Sequence, residues 1–257
     1  MTIKGDKNKM KNNKTALITG SSSGIGKEIA IQLAKQDIAV CINYSKSKDD
    51  AKQVQKLIEN KGGKAVIFKA DVSKEKDVRQ MSIFLKEKFG KLDYLINNAG
   101  INIVKDFENY PTGDWSKIIN INLTGKYLCT KYLTPLLKKS KSPRIINIAS
   151  RFATRPDDEI PAYCCAEAGV IMLTKVSALG LAKYGIKVNT ISPSLTRTPL
   201  TEKICSKKEF AAYIDNNPSK RIGLPEDIAN TVLFLISDKA DFINGENINV
   251  SGGILLK

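Results

Sequence analysis

The chain has 257 residues, 42% hydrophobic and 26% charged, a globular balance that argues against wholesale disorder, collagen and coiled coil. That length suits one α/β domain better than two. Its 41 basic and 26 acidic residues give a net charge of +15, and the complete lack of histidine removes His-dependent triads, His metal sites and imidazole bases.

Only six of the basic residues are arginines, and the lysines are scattered among Asn and Ile, so no phosphate-binding face and no nucleic-acid partner is expected. The stretch 1–14 reads as a basic polar tail, with Met10 an alternative start, ahead of one dinucleotide-binding domain over 15–257. No apolar segment with a small-residue cleavage site follows this tail, and no apolar run reaches the roughly 18 residues of a membrane span. A soluble, cytoplasmic protein with no membrane partner is expected. The five cysteines, Cys41, Cys129, Cys164, Cys165 and Cys205, are odd in number and show no CxxC spacing. They are expected to be reduced thiols, with no zinc or other metal site.

Taken in chain order, short apolar β-type runs alternate with longer amphipathic segments. A strand over 15–19 leads to a helix over 25–35, a strand over 38–44 to a helix over 49–60, and a strand over 64–70 to a helix over 74–89. Strands follow over 92–97, 144–149, 187–191 and 247–250, with helices over 115–138, 162–184, 207–216 and 226–237. Several strands are continuously apolar, as strands covered on both faces by helices are. The alternation dictates a single Rossmann-type, doubly wound parallel sheet of about seven strands with helices on both faces.

The most informative segment is Thr19-Gly20-Ser21-Ser22-Ser23-Gly24-Ile25-Gly26, between the first strand and the first helix. Glycines there let the backbone turn tightly and approach a pyrophosphate, whose charge meets free amides and the helix N-terminus. A structural turn is the alternative. The position after a strand, early in an α/β chain, favours a dinucleotide site.

Here the chain resembles the short-chain dehydrogenase/reductase family, over nearly everything from 14 to 253. The TGxxxGIG turn is followed by Asp71-Val72, then Asn97-Asn98-Ala99-Gly100, Asn122 in Asn-Ile-Asn-Leu-Thr-Gly, Ser150, Tyr163 thirteen residues later, and Pro193 to Thr198. With Arg221-Ile-Gly-Leu-Pro-Glu-Asp-Ile-Ala and Gly252-Gly253, the pattern looks most like the 3-oxoacyl-carrier-protein reductase branch. The resemblance implies a carbonyl reductase acting on a small-molecule or carrier-bound keto substrate, and a homo-oligomer, most often a tetramer.

It also implies roles residue by residue. Ser21 to Ile25, flanked by Gly20 and Gly26, would hold the pyrophosphate; Asp71, Val72 and Asn97 would border the adenine; Asn98, Ala99, Gly100, Pro193 and Thr198 would line the remaining cofactor wall, with Thr198 on the carboxamide. The second strand ends Tyr44-Ser45-Lys46, without the acidic residue that grips a free ribose 2′-hydroxyl, and Lys48 follows. NADP(H) is implied ahead of NAD(H), although Ser23 stands where a basic residue often marks NADP users. Ser150 and Tyr163 match the serine that holds the carbonyl oxygen and the tyrosine that exchanges its proton. Asn122 matches the residue that bends its helix and anchors the proton relay.

The pattern then breaks. The family motif is YxxxK, and this chain has Glu167 in place of the lysine that binds the nicotinamide ribose and lowers the tyrosine pKa. An anion there opposes phenolate. Lys175, two turns on and roughly 12 Å away along the helix, is too distant to stand in, and no other replacement cation is evident. Lesser departures are Ser194, Thr196 and Ser251. An NADP(H)-dependent ketoreductase with an atypical proton relay is therefore expected, against two alternatives: a cofactor-binding relative without turnover, and a non-redox elimination or isomerisation using Glu167. Arg151 and Arg155 either orient an anionic substrate group or pair with Asp157, Asp158 and Glu159. The variable segment 200–221 does not disclose a pocket shape.

Overall fold

The computed structural model describes residues 14–256; residues 1–13 of the tail expected over 1–14, with Met10, lie outside the described residues. Strands β1 (Thr15–Ile18), β2 (Ala39–Tyr44), β3 (Ala65–Lys69), β4 (Tyr94–Asn97), β5 (Arg144–Ile148), β6 (Lys187–Pro193) and β7 (Asn247–Val250) form one sheet in the order β3-β2-β1-β4-β5-β6-β7. Every pairing is parallel. Each crossover carries helix, as the sequence alternation requires, and predicted element ends lie within a few residues of the observed ones.

Strand side chains alternate between two cores. Ala16 and Ile18 of β1, Val40 and Ile42 of β2 and Tyr94 and Ile96 of β4 face one side. There they meet α1 (Gly24–Lys35), α2 (Lys48–Glu59) and α9 (Pro225–Leu235), through residues such as Ile29, Leu33, Val54 and Val232. Leu17, Cys41 and Leu95 face the opposite side, against Val78, Met81 and Leu85 of α3 (Glu75–Lys88) and Leu128, Leu133 and Leu137 of α5 (Gly125–Leu137). Helix α6 (Pro161–Leu181) buries Ala162, Ala166, Val170, Thr174 and Ala178 at four-residue intervals; Ala178 joins the second core, whereas Ala162 and Ala166 pack with Ile118 in a smaller cluster.

Two features depart from the predicted elements. The helix expected over 115–138 is three pieces: α4 (Thr112–Ile118), a π-helical turn over Ile119–Thr124 and α5. Widened turns of this kind are characteristic of functional sites, and this one holds Asn122 at its centre. Within the variable segment, a short helix α7 (Pro199–Ile204) precedes α8 (Lys207–Asn216). Its start is set by Thr198, whose Oγ accepts from the Thr201 amide while Thr201 Oγ accepts from the Thr198 amide. This capping box was not read from the sequence because its reciprocal residue is a threonine rather than Glu or Gln.

Strand order reverses between β1 and β4, the switch point of a doubly wound sheet. The crevice beyond the carboxyl ends of those strands is where such folds bind ligands.

Candidate active site

A cleft of about 890 Å³ opens at the switch point. One end is built by the glycine-rich turn. Gly20 has φ +62°, and a Cβ there would come within 2.9 Å of Ala99 Cα, so glycine is required by both conformation and space. Gly26 packs beneath the turn, where a Cβ would lie 2.6 Å from Asn98 Nδ2. Asn98 Nδ2 donates to the carbonyls of Thr19 and Gly20 at 2.9 and 3.1 Å, tying the turn to the end of β4. Ser22, Ser23, Gly24 and Ile25 face the cleft at the N-terminus of α1, whose first turn carries no acidic side chain.

Tyr44, Ser45, Lys46, Asp71, Val72, Asn98, Ala99 and Gly100 continue the cleft wall, and Pro193 and Thr198 close it on the far side. Two of the expected positions are corrected. Ser21 is fully buried and its Oγ donates to the Ile18 carbonyl at 2.7 Å, so it braces the turn from below. Asn97 is also fully buried, donating to Asn147 Oδ1 at 2.8 Å, and β4 turns it away from the cleft that Asn98 enters.

At the other end of the cleft the sheet delivers Ser150 just beyond β5, and α6 delivers Tyr163 and Glu167 one turn apart. Tyr163 and Ser150 both line this end of the cleft, and Ser150 Oγ accepts from the Phe152 amide at 3.3 Å. The π-turn aims Asn122 into the same corner. Asn122 Oδ1 accepts from the Ile101 amide at 3.0 Å, while its Nδ2 donates to the Ile101 carbonyl at 3.0 Å and to Glu167 Oε1 at 2.9 Å. Glu167 is 2% exposed, and its Oε2 has no hydrogen-bond partner among the described residues.

The electrostatics follow from this packing. Burial, reinforced by the charge of Glu167, raises the Tyr163 phenol well above its ordinary range; the neighbouring Ser150 hydroxyl opposes the shift. Burial raises the Glu167 carboxyl too, against the charge of Lys126 and the Asn122 hydrogen bond.

Lys126 is the functional-looking residue that sequence reasoning missed. It is 3% exposed, lines the cleft beside Glu167, and donates to the Asn122 carbonyl at 2.9 Å and the Ala99 carbonyl at 3.2 Å. Its only sequence signal is its place four residues after Asn122, one helical turn on. Lys175, by contrast, is exposed on α6. Arg151 and Arg155 do not line the cleft: Arg155 donates to the Ile254 carbonyl at 3.0 Å, and Arg151 lies 4.3 Å from the Phe152 ring centroid and 5.8 Å from that of Tyr213. All five cysteines are free thiols.

The turn fits a nicotinamide dinucleotide, because Gly20 and Gly26 let it pack tightly against Ala99 and Asn98 while Ser22, Ser23, Gly24 and Ile25 face the cleft at the N-terminus of α1, where a pyrophosphate would sit. Comparison with known proteins agrees. A family model described as enoyl-(acyl carrier protein) reductase matches residues 20–255. A 3-oxoacyl-[acyl-carrier-protein] reductase of Staphylococcus epidermidis is 38% identical over 244 residues, covering 95% of this chain and all of that one. A short-chain type dehydrogenase/reductase from Mycobacterium marinum superposes with a TM-score of 0.90 at 30% identity, covering 97% of this chain and 98% of that one. A Beutenbergia cavernae protein assigned as a gluconate 5-dehydrogenase, solved with NADP at low occupancy, superposes with a TM-score of 0.89 at 28% identity over 97% of this chain and 99% of its own. The seven-stranded parallel sheet, the turn it presents at the switch point and these likenesses together make the chain a member of the short-chain dehydrogenase/reductase family, an oxidoreductase family.

Proposed function

We propose that the protein is an NADP(H)-dependent ketoreductase that reduces a 3-oxoacyl or related keto group on a small or carrier-bound thioester. The observation that carries this reading is that Ser150 and Tyr163 line one end of a cleft whose other end is a pyrophosphate-type glycine turn. The 38% identity to a 3-oxoacyl-carrier-protein reductase supports the substrate class.

In this reading Ser22 to Ile25 hold the pyrophosphate, Asp71 and Val72 border the adenine, and Thr198 with Pro193 flanks the nicotinamide. Ser45 and Lys46 receive the 2′-phosphate through charge-assisted hydrogen bonds, and Tyr44 contributes no competing carboxylate. When bound, the reduced nicotinamide supplies a hydride to the carbonyl carbon. Ser150 donates a hydrogen bond to the carbonyl oxygen, and Tyr163 gives that oxygen its phenolic proton, producing the alcohol. A tyrosine held protonated is suited to this direction. Asn122 fixes Glu167 and the loop at Ile101 around the proton donor. As an NADPH consumer of this kind, the protein works in the cytoplasm and assembles as a homotetramer.

The test is calorimetric titration with NADPH and NADH, followed by turnover on acetoacetyl and longer 3-oxoacyl thioesters. Tighter NADPH binding and NADPH oxidation dependent on the keto thioester are expected. The departure at Glu167 favours a second reading, a cofactor-binding relative without redox turnover; tight NADPH binding with no oxidation on any carbonyl would establish it. Conversion of a hydroxyacyl or enoyl thioester without cofactor oxidation would instead assign Glu167 to elimination or isomerisation.

A further inference from the structure

Lys126 and Glu167 are two oppositely charged side chains, both nearly inaccessible, that converge on the cleft from different helices. They share one residue. Asn122 gives its side-chain amide to Glu167 and its main-chain carbonyl to Lys126, so α5 and α6 are joined through the π-turn at the point where Tyr163 enters. No ion pair within 4.0 Å is made by either group among the described residues. Glu167 Oε2 is without a partner, and two hydrogen bonds leave Lys126 with a third N–H.

A lone buried charge sheds or takes up a proton rather than remain ionised, whereas two opposite charges close together sustain one another. Burial lowers Lys126 and raises Glu167, and each opposes the other's shift. Removing either partner would leave the other as an uncompensated charge inside the site. Their combined charge is zero where the family lysine alone would contribute one positive charge.

We propose that Lys126 is the positioning cation of this active site, acting through Asn122 and Glu167: from α5 it offsets the charge of the glutamate that stands where the family carries its lysine. Held in this way, Glu167 keeps an ionised carboxylate whose free Oε2 receives a hydroxyl of the nicotinamide ribose, the contact that a lysine at 167 would make as a donor. The polarity of that contact is reversed, and the cation stands on a neighbouring helix, where it supports the acceptor. This inference rests on the reading of the cleft as a nicotinamide-dinucleotide site.

The experiment is a mutant cycle read by NADPH affinity and by the urea midpoint. Lys126→Met and Glu167→Gln should each weaken NADPH binding about tenfold or more, the loss expected when a charge-assisted hydrogen bond fails. Their double variant should bind no worse than either single one, because the two act as a unit. Lys126→Arg, which keeps the charge, should stay within about threefold of the native affinity. Lys126→Met/Glu167→Lys, which moves the cation to the family position, should recover affinity lost in Lys126→Met; a role in packing alone would show neither rescue. Should a single variant not fold while the double variant does, the urea midpoints report the same coupling. Additive losses, or relocation of the cation without recovery, would overturn the proposal while leaving cofactor binding intact. Failure of the native protein to bind either nicotinamide cofactor would overturn the functional reading and the ribose contact together.

Discussion

Tyr163 carries the sharpest consequence at the scale of single residues, because burial and Glu167 both hold its hydroxyl protonated. A raised pKa means the proton donor persists through neutral pH and the phenolate forms only as pH climbs through the raised value. Ketone reduction should therefore vary little between about pH 6 and 9, whereas alcohol oxidation should rise with pH without reaching a plateau in that range. Steady-state rates in both directions check this; a plateau of oxidation near neutrality would show that the tyrosine ionises normally. Tyr163→Phe should lower reduction by about 10²- to 10⁴-fold, the usual scale of a lost general acid, with NADPH affinity unchanged. Lys46 belongs to the same scale. Lys46→Glu should weaken NADPH binding by about tenfold or more while sparing NADH, since the exposed carboxylate opposes only the 2′-phosphate. Equal losses for the two cofactors would remove Lys46 from that role.

Between residues and the whole molecule stand the two turns that shape the cleft. The glycine turn is held against β4 by Asn98 and by the contact between Gly20 and Ala99, where a Cβ would sit 2.9 Å from backbone. Gly90 has φ +78° but nothing within 4 Å of its would-be Cβ. The two glycines thus separate conformational strain from steric exclusion. Gly90→Ala should cost about 1 kcal/mol, from the left-handed backbone alone. Gly20→Ala should cost about 2–4 kcal/mol, because rigid backbone must also shift, and it should lose NADPH binding as well. Urea unfolding of both variants measures the contrast, and equal midpoints would show that the turn relaxes freely. The π-turn works differently. It swings Asn122 between the Ile101 loop and α6, and Gly169 of α6 permits its approach, since a Cβ there would lie 2.8 Å from Leu123 Cδ2.

At the scale of the molecule, α5 and α6 are covered by the sheet on one side only. Tyr127 of α5 and Met172, Val176 and Leu179 of α6 are exposed, Leu179 to 82%. Helix α6 with the turn after it, Pro161–Tyr184, is also long and apolar enough to cross a membrane by length and composition. Its buried stripe of five residues packs inward against the sheet and Ile118, so the opposite row is left for another surface. The homotetramer of the proposed function would cover that row. Light scattering at micromolar concentration should give about four times the 28.3 kDa chain mass. Val176→Asp with Leu179→Asp should reduce that mass while leaving the circular dichroism of the fold unchanged. A native mass near that of one chain would refute the assembly.

The sequence by itself determined the sheet, because continuously apolar strands alternating with amphipathic helices admit few arrangements and parallel crossovers have one hand. It also located the glycine turn by its place between a strand and a helix, while Ser150, Tyr163 and Glu167 were singled out by the order and spacing of motifs that resemble the family; the structure brings all of these to one cleft. Tertiary structure decided what lay between elements. Asn97 ends β4 inside the sheet, whereas Asn98 lies just beyond it and ties the glycine turn, and only the packed structure determines which one meets the cleft. Arg151 and Arg155 flank the catalytic-type serine in sequence yet reach the C-terminal segment and aromatic rings instead. Lys126 shows the same limit most clearly. It stands 41 positions before Glu167, a separation in sequence that carries no information about proximity, and their convergence on Asn122 depends on a widened helical turn packed against a glycine of another helix.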